Sequence, residues 1–391
     1  MVNIYRRMKF YLETSGLEHK VVAKELGIPE TTFSNWYTKG QNISVYSLLK
    51  ISSKLSPLER NIQEEDVIQH LKKHSRQNLN VKMAFLIAHL NGFDKLLDFV
   101  IDLCQNHSTL ELSRCYNIFN LYKCRLNGSK DLEEIFLEIE NSRAIANKKH
   151  FQVRMFCDIL SMLILCDLGK FDLMIKYKKR VEDDSRIVKN KELFNLYHFW
   201  IESIWGYSLL RSNDVIGFQE VYKNLMDFED LNFFPIMQAV IDSRMGESNL
   251  FLDEVSSFHY LEKACNALTL LGEKHKYKIA LNTLNFLRII TRKDIDKIDM
   301  NTLDIAEKSL YFIILDQKDQ ANKLLDYLEV KNGKLSPMQR LYRGMANNDL
   351  EEISSVIDVM KIKNDIFYAG FAQKIFNEYK EKSIQNVGKG F

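Results

Sequence analysis

Apolar residues recur at three- and four-residue spacing along almost the whole chain, and no stretch alternates long enough to make a convincing strand. That rhythm predicts an all-α protein. The first helix runs from Asn3 to Thr14, with Ile4, Met8, Tyr11 and Leu12 on one face. A short helix follows over Val22 to Gly27, the chain turns at Gly27-Ile28, and Pro29 suits the first turn of the next helix, where a missing N–H costs nothing. This helix, Glu30 to Thr38, points Phe33, Trp36 and Tyr37 inward and leaves Glu30, Thr31, Ser34 and Asn35 outside. Gly40 closes it, and Val45, Leu48, Leu49 and Ile51 supply a helix that covers the unit from behind. Spacing, turn and aromatic core together read as a helix-turn-helix module, residues 1–56. Small and amide side chains on the outer face of its second helix are of the size and chemistry that reach base edges in the major groove.

Ser56-Pro57 ends the module, and residues 57–77 read as a charged helical linker. From Asn78 an apolar helix, a polar break and a more charged helix repeat: 79–90 with 94–105, 109–126 with 130–142, 149–168 with 172–182, and 191–211 with 215–228. The series continues as 233–250 with 254–271, then 275–291, 302–315 with 320–329, 337–346 with 350–361, and 366–381. Gly92 to Gly128 is 36 residues and Gly128 to Gly169 is 41, close to the period of tetratricopeptide helix pairs. No pair can bury its own apolar face, so residues 78–391 are expected to stack as a TPR-like superhelix with a concave surface. An irregular helical bundle is the alternative.

Composition narrows the class. With 46% apolar residues and only 4 prolines and 15 glycines in 391 residues, disordered and collagen-like chains are excluded. The formal net charge of +2 is uneven, because residues 1–56 hold eight Lys/Arg against four Glu, leaving +4 there and −2 elsewhere. A basic small domain on a mildly acidic body suits local phosphate contact. Six cysteines with no C-x-x-C read as reduced core thiols in a cytoplasmic protein. Neither a signal peptide nor an apolar run long enough to span a membrane is found. Phosphate-cradling glycine loops, metal-ligand histidine spacings and acid–base dyads are all missing, so no enzyme, no metal and no cofactor is expected. The aromatics around Trp200 and Trp205 read as core more readily than as a ligand shelf.

Polar residues on inner helices stand out instead. Helix 191–211 ends with Tyr207 and Arg211, helix 233–250 carries Asp242, Arg244, Glu247 and Asn249, and helix 275–291 carries Asn282, Asn285 and Arg288. On a concave surface, asparagines can hydrogen-bond an extended peptide and arginines can take its carboxylate, although solvent-facing polarity explains any single one equally well.

A helix-turn-helix followed by degenerate tetratricopeptide pairs resembles the peptide-pheromone receptors of Gram-positive bacteria and their phages, and most of all the AimR arbitrium receptors. Within VVAKELGIPETTFSNWYTKG, the resemblance places Glu30, Thr31 and Asn35 at bases and His19, Lys20 and Lys39 near phosphates. Lys363-Asn364-Asp365 matches a family segment whose aspartate binds an arginine of the signal peptide, and Asp304 and Glu307 fall near a stretch lining the family's pocket. The chain departs from the family where Tyr207 and Arg211 replace groove asparagines. It also lacks the arginine that binds the peptide's carboxylate, a role left to Arg211 or Arg244, and its end, KEKSIQNVGKGF, replaces a leucine-rich pairing tail. The resemblance implies a homodimeric, cytoplasmic regulator that binds a double-stranded DNA operator and a short signal peptide, a hexapeptide containing arginine, to steer phage lysis and lysogeny. The alternatives are a virulence or conjugation regulator of the same superfamily, or a helical body that binds a protein partner.

Overall fold

The computed structural model describes residues 4–74, 77–146 and 148–388. These residues form twenty-one α-helices and four short 3-10 turns, with no strand among them. The first five are α1 (Ile4–Ser15), α2 (His19–Glu25), α3 (Glu30–Lys39), α4 (Val45–Leu55) and α5 (Arg60–His74). Next come α6 (Asn78–Asn91), α7 (Asp94–Gln105), α8 (Leu110–Asn127), α9 (Leu132–Ile145), α10 (Phe151–Asp167) and α11 (Met174–Ser185). They are followed by α12 (Lys191–Arg211), α13 (Val215–Met226), α14 (Pro235–Ser248), α15 (Glu254–Leu270) and α16 (Lys274–Thr291). The series ends with α17 (Ile305–Ile314), α18 (Lys318–Asn332), α19 (Pro337–Asn347), α20 (Leu350–Ile362) and α21 (Ile366–Gly388).

The expected α-helical pairs are present, with ends shifted by a few residues. The largest shift is at the C-terminus, where α21 continues to Gly388 instead of stopping near 381. The expected start at Asn3 and the last residues of the tail lie outside the described residues. Pro29 is corrected by one position. It is the residue before α3, with ψ near 131°, and its carbonyl accepts the first helical bond from Phe33 N–H at 3.0 Å. The turn before it depends on Gly27, whose positive φ of 60° lets the Ile28 N–H reach the Ala23 carbonyl at 2.9 Å.

The chain separates into two compact units: Met1–Ile164 with Lys176–Glu202 and Leu225–Gln238, and Leu165–Ile175 with Ser203–Asn224 and Ala239–Phe391. In the first unit α1 packs on α4 and α2 on α3; α4 meets α5 and α6, α5 meets α6 and α7, and α6 to α9 pack each on the next. This is the contact pattern of stacked helix pairs, and it begins within residues 1–56. The stretch read as a charged linker is therefore corrected. In α5, Val67, Ile68 and Leu71 are buried together with Gln63, Glu64, Asp66 and His70. Each buried polar group has a reason to be there: Asp66 accepts from Arg7 and Ser52, His70 meets the Ile43 carbonyl at 3.0 Å, and Glu64 accepts from the Leu96 N–H at 2.9 Å.

Aromatic packing fills the rest of this unit. Phe85 stacks on Phe119 at 3.7 Å and meets Phe156 edge-on at 5.4 Å, while Tyr197, Phe199 and Trp200 are buried as core. In the second unit α15 packs on α16, α16 on α17 and so on to α21, with α17 also touching α19 and α19 touching α21. Gly344 lets α19 and α20 approach closely, since a Cβ there would lie 2.7 Å from Ile353 Cγ1.

Candidate functional site

Two groups of residues come forward as sites, one in each unit. In the module, Phe33 and Trp36 of α3 are fully buried, Trp36 stacking on Tyr5 at 4.7 Å. Helical spacing then turns Glu30 and Thr31 to solvent, with Ser34 and Asn35 half-buried on the same surface. Gly40 ends the helix in the left-handed conformation, and the Gln41 N–H returns to the Asn35 carbonyl at 3.2 Å. Lys39 is exposed in the last turn, and Lys20 is exposed but pairs with Glu18 at 2.7 Å. His19 is half-buried against the ring of Tyr37, 4.5 Å between centroids, so part of its surface is spent on packing.

The module is held by buried charge. Lys50 of α4 lies 2.6 Å from Asp230, and the hydroxyl of Tyr46, also on α4, donates to the same carboxylate at 2.7 Å. Arg7 of α1 pairs with Asp66 and donates to the Ser56 hydroxyl at 3.0 Å. Sequence reading missed both clusters, because Tyr46 and Asp230 are 184 residues apart and Arg7 and Asp66 are 59 apart. The local signal was a lysine and a tyrosine on the apolar face of α4.

In the second unit the structure brings Tyr207, Arg211, Arg244 and Asp365 together, from α12, α14 and the residue before α21. Arg211 donates from Nε to Asp365 Oδ1 at 2.8 Å and from Nη2 to the other oxygen, and its Nη1 donates to the Tyr207 hydroxyl at 2.6 Å. This is a bidentate pair in which planar guanidinium matches planar carboxylate. Three rings enclose the guanidinium, Tyr368 at 4.7 Å, Phe171 at 5.0 Å and Tyr207 at 5.5 Å. Burial works against the charge on Arg211, but Tyr207 and Asp365 outweigh it and hold the group protonated.

Arg244 shares the Tyr207 ring at 5.0 Å and donates to the Ser203 carbonyl. Burial lowers its pKa. Glu247, one helical turn on, accepts from the Tyr368 hydroxyl at 2.9 Å, and burial raises its pKa against the pull of Arg211. Tyr368, Phe171 and Ser203 were not among the residues singled out from the sequence, whereas Glu247 was noted as a polar residue on its helix. Tyr368 had a legible signal, since it lies three positions after Asp365 on one helical face.

The other candidates are placed differently. Asp365 is not an open cation receiver, because Arg211 already occupies it. Asp304 is the N-cap of α17, accepting from the Ala306 N–H at 3.0 Å. Asn249 turns its amide back to the Met245 carbonyl at 2.8 Å, and Asn285 is buried and accepts from Arg288 at 3.2 Å. Glu307 is held near Tyr342, with its Oε2 and the Tyr342 hydroxyl both buried without a hydrogen-bond partner. Burial, aided by nearby Asp304, pushes Glu307 up to about 8. Among the described residues there is no cluster of His, Cys, Asp and Glu able to hold a metal, and no helix is long and apolar enough to cross a membrane.

Comparison with known proteins gives this geometry a context. The family described as AimR transcriptional regulator-like matches residues 63–375, beginning within α5 and leaving α1 to α4 outside. An uncharacterized protein of Bacillus anthracis is 23% identical over 254 residues, covering 64% of this chain and 92% of its own length. Among solved structures, a selenomethionine form of phAimR superposes with a TM-score of 0.65 at 15% identity, over 96% of this chain and 100% of that one. The ligand-bound form of phAimR gives a TM-score of 0.72 at 16% identity, over 86% of this chain and 98% of that one. At these identities the two structures speak for the fold.

Proposed function

This chain belongs to the AimR-like transcriptional regulators, and from that premise we propose that it is a peptide-responsive DNA-binding regulator of phage lysis and lysogeny. The family match carries the reading, and the charged cluster around Arg211 and Asp365 gives it chemistry. On this reading α3 enters the major groove with Glu30, Thr31, Ser34 and Asn35 toward the bases, while Lys20, Lys39 and His19 lie toward phosphates. A single short helix specifies little sequence, so two copies of the chain read two half-sites as a homodimer.

The second unit takes a short linear peptide. Since Arg211 fills Asp365 in the free protein, a peptide arginine reaches that carboxylate only by exchange. The incoming guanidinium takes Asp365, and Arg211, released beside Arg244, takes the peptide's carboxylate. Arg211 and Asp365 are each paired before and after, which an exchange in a low-dielectric site requires. The peptide thus favours a state in which the Arg211–Asp365 pair is open, and its differential affinity for that state is what shifts the population.

Two measurements test the two halves. Selection from random-sequence duplex DNA is expected to enrich one site with the wild-type protein and a relaxed or different set with Asn35→Ala, at unchanged thermal stability. Identical enrichment would remove α3 from the interface. Calorimetry with hexapeptides ending in Arg-Gly-Ala is expected to find a binder that Asp365→Ala weakens by about 1.5–3 kcal/mol. Unaltered affinity would move the cation site elsewhere.

A further inference from the structure

Arg288 of α16 differs from Arg211 and Arg244 in ending beside open space. Only 7% of the residue is exposed. Its Nη1 donates to Asn285 at 3.2 Å, its Nη2 stands 3.8 Å from Glu262 Oε1, outside hydrogen-bond range, and its Nε is buried with no partner. The same residue lines a cavity of about 990 Å³ bounded by α15, α16 and residues 297–302. Burying a guanidinium costs several kcal/mol unless a close anion offsets it, and one bond to an amide does not.

The neighbouring charges do not supply that anion. Asp299 accepts from the Asn301 N–H and the Thr302 hydroxyl, both at 2.9 Å, and Lys297 is engaged with Asp294 at 2.8 Å. Glu262, 3.8 Å from the guanidinium, has a side chain that is 44% exposed, and solvent competes for it. Leu281 and Leu284 give the cavity an apolar wall, and Asn266 gives it an amide.

We propose that this cavity is a binding site for a small organic oxyanion, a carboxylate or a phosphate ester. Arg288 receives the charged oxygens and the leucine wall receives the carbon skeleton. The site does not depend on the reading of the Arg211 cluster, from which it shares no residue.

The test uses the full chain labelled with ¹⁵N-arginine, in which the Nε–Hε signal of Arg288 is assigned by its loss in Arg288→Lys. Three probes are titrated: acetyl-glycyl-alanine with a free carboxylate, the same compound as its amide, and glycerol 3-phosphate. A saturable shift of the Arg288 signal by an oxyanion probe and none by the amide is expected, and the stronger of the two oxyanions names the source. Arg288→Gln is expected to weaken that probe by at least about tenfold, the loss of a charged hydrogen bond, while Arg211→Gln leaves it unchanged. Silence of both oxyanions at millimolar concentration, an equal shift by the amide, or affinity indifferent to Arg288→Gln each overturns the proposal. Arg288→Lys, which keeps the charge and loses the fork, serves in place of Arg288→Gln if the latter does not fold.

Discussion

Lys50–Asp230–Tyr46 in the first unit and Arg211–Asp365–Tyr207 in the second are assembled from the same kinds of residue, yet the hydrogen bonds run differently. In the first, Tyr46 spends its hydroxyl proton on Asp230, and the ammonium of Lys50 sits 4.8 Å from the Tyr46 ring. Acid, base and hydroxyl are all committed, and the cluster is a clamp. In the second, the Tyr207 hydroxyl accepts from Arg211 and keeps its own proton, while a second arginine and a second acid, Arg244 and Glu247, stand close by. That cluster has alternative partners within itself, which a clamp lacks. Similar chemistry is thus fully committed in one place and has alternative partners in the other, and the direction of one tyrosine bond separates them.

The contrast can be broken by experiment. Asp230→Ala strands a buried ammonium and is expected to cost about 3–5 kcal/mol in urea unfolding, most of it recovered in Lys50→Met/Asp230→Asn, where both charges are gone. A loss below about 1 kcal/mol would demote the clamp to an ordinary surface pair. Glu307 sharpens the other side. Its folded pKa is raised from 4.5 to about 8, so its contribution is fully present below the unfolded value and lost as pH rises through 8. Wild type is therefore expected to lose about 4 kcal/mol relative to Glu307→Gln between pH 5 and 9, and parallel pH profiles would show that the carboxyl is solvated. The smallest effect belongs to Asp365→Ala, about 1–2 kcal/mol of stability, because Arg211 keeps the Tyr207 hydroxyl and its three rings. A cost equal to that of Asp230→Ala would make the second cluster a clamp as well.

The helices were legible because their apolar period repeats within each segment. Lys191–Arg211 and Asp94–Gln105 fall on the expected residues, and Asn78–Asn91 lies one residue outside at either end. The role of α5 was not legible. Its buried Asp66 and His70 look like solvated charge until Arg7, Ser52 and the Ile43 carbonyl are brought to them from other helices. The candidate cluster was half legible for the same reason. Tyr207 and Arg211 share a face by spacing, but nothing local pairs Arg211 with a residue 154 positions away. Asp304 shows the opposite error, a carboxylate whose helix-capping duty is written in the sequence and was passed over for a ligand role.

Helix α4 carries a practical consequence for anyone exchanging N-terminal segments between members of this family. It packs on α1 within the module and on α5 and α6 beyond it, and the Val45 N–H is tied to Asn80 Oδ1 at 3.3 Å. A chimera joined at residue 56 would keep the α1 face of this helix and mismatch the face that meets α5 and α6. A seam before Ser44, the residue that caps α4, keeps the faces that meet α5 and α6 with their host and leaves the contacts of α1 with α4 to be matched.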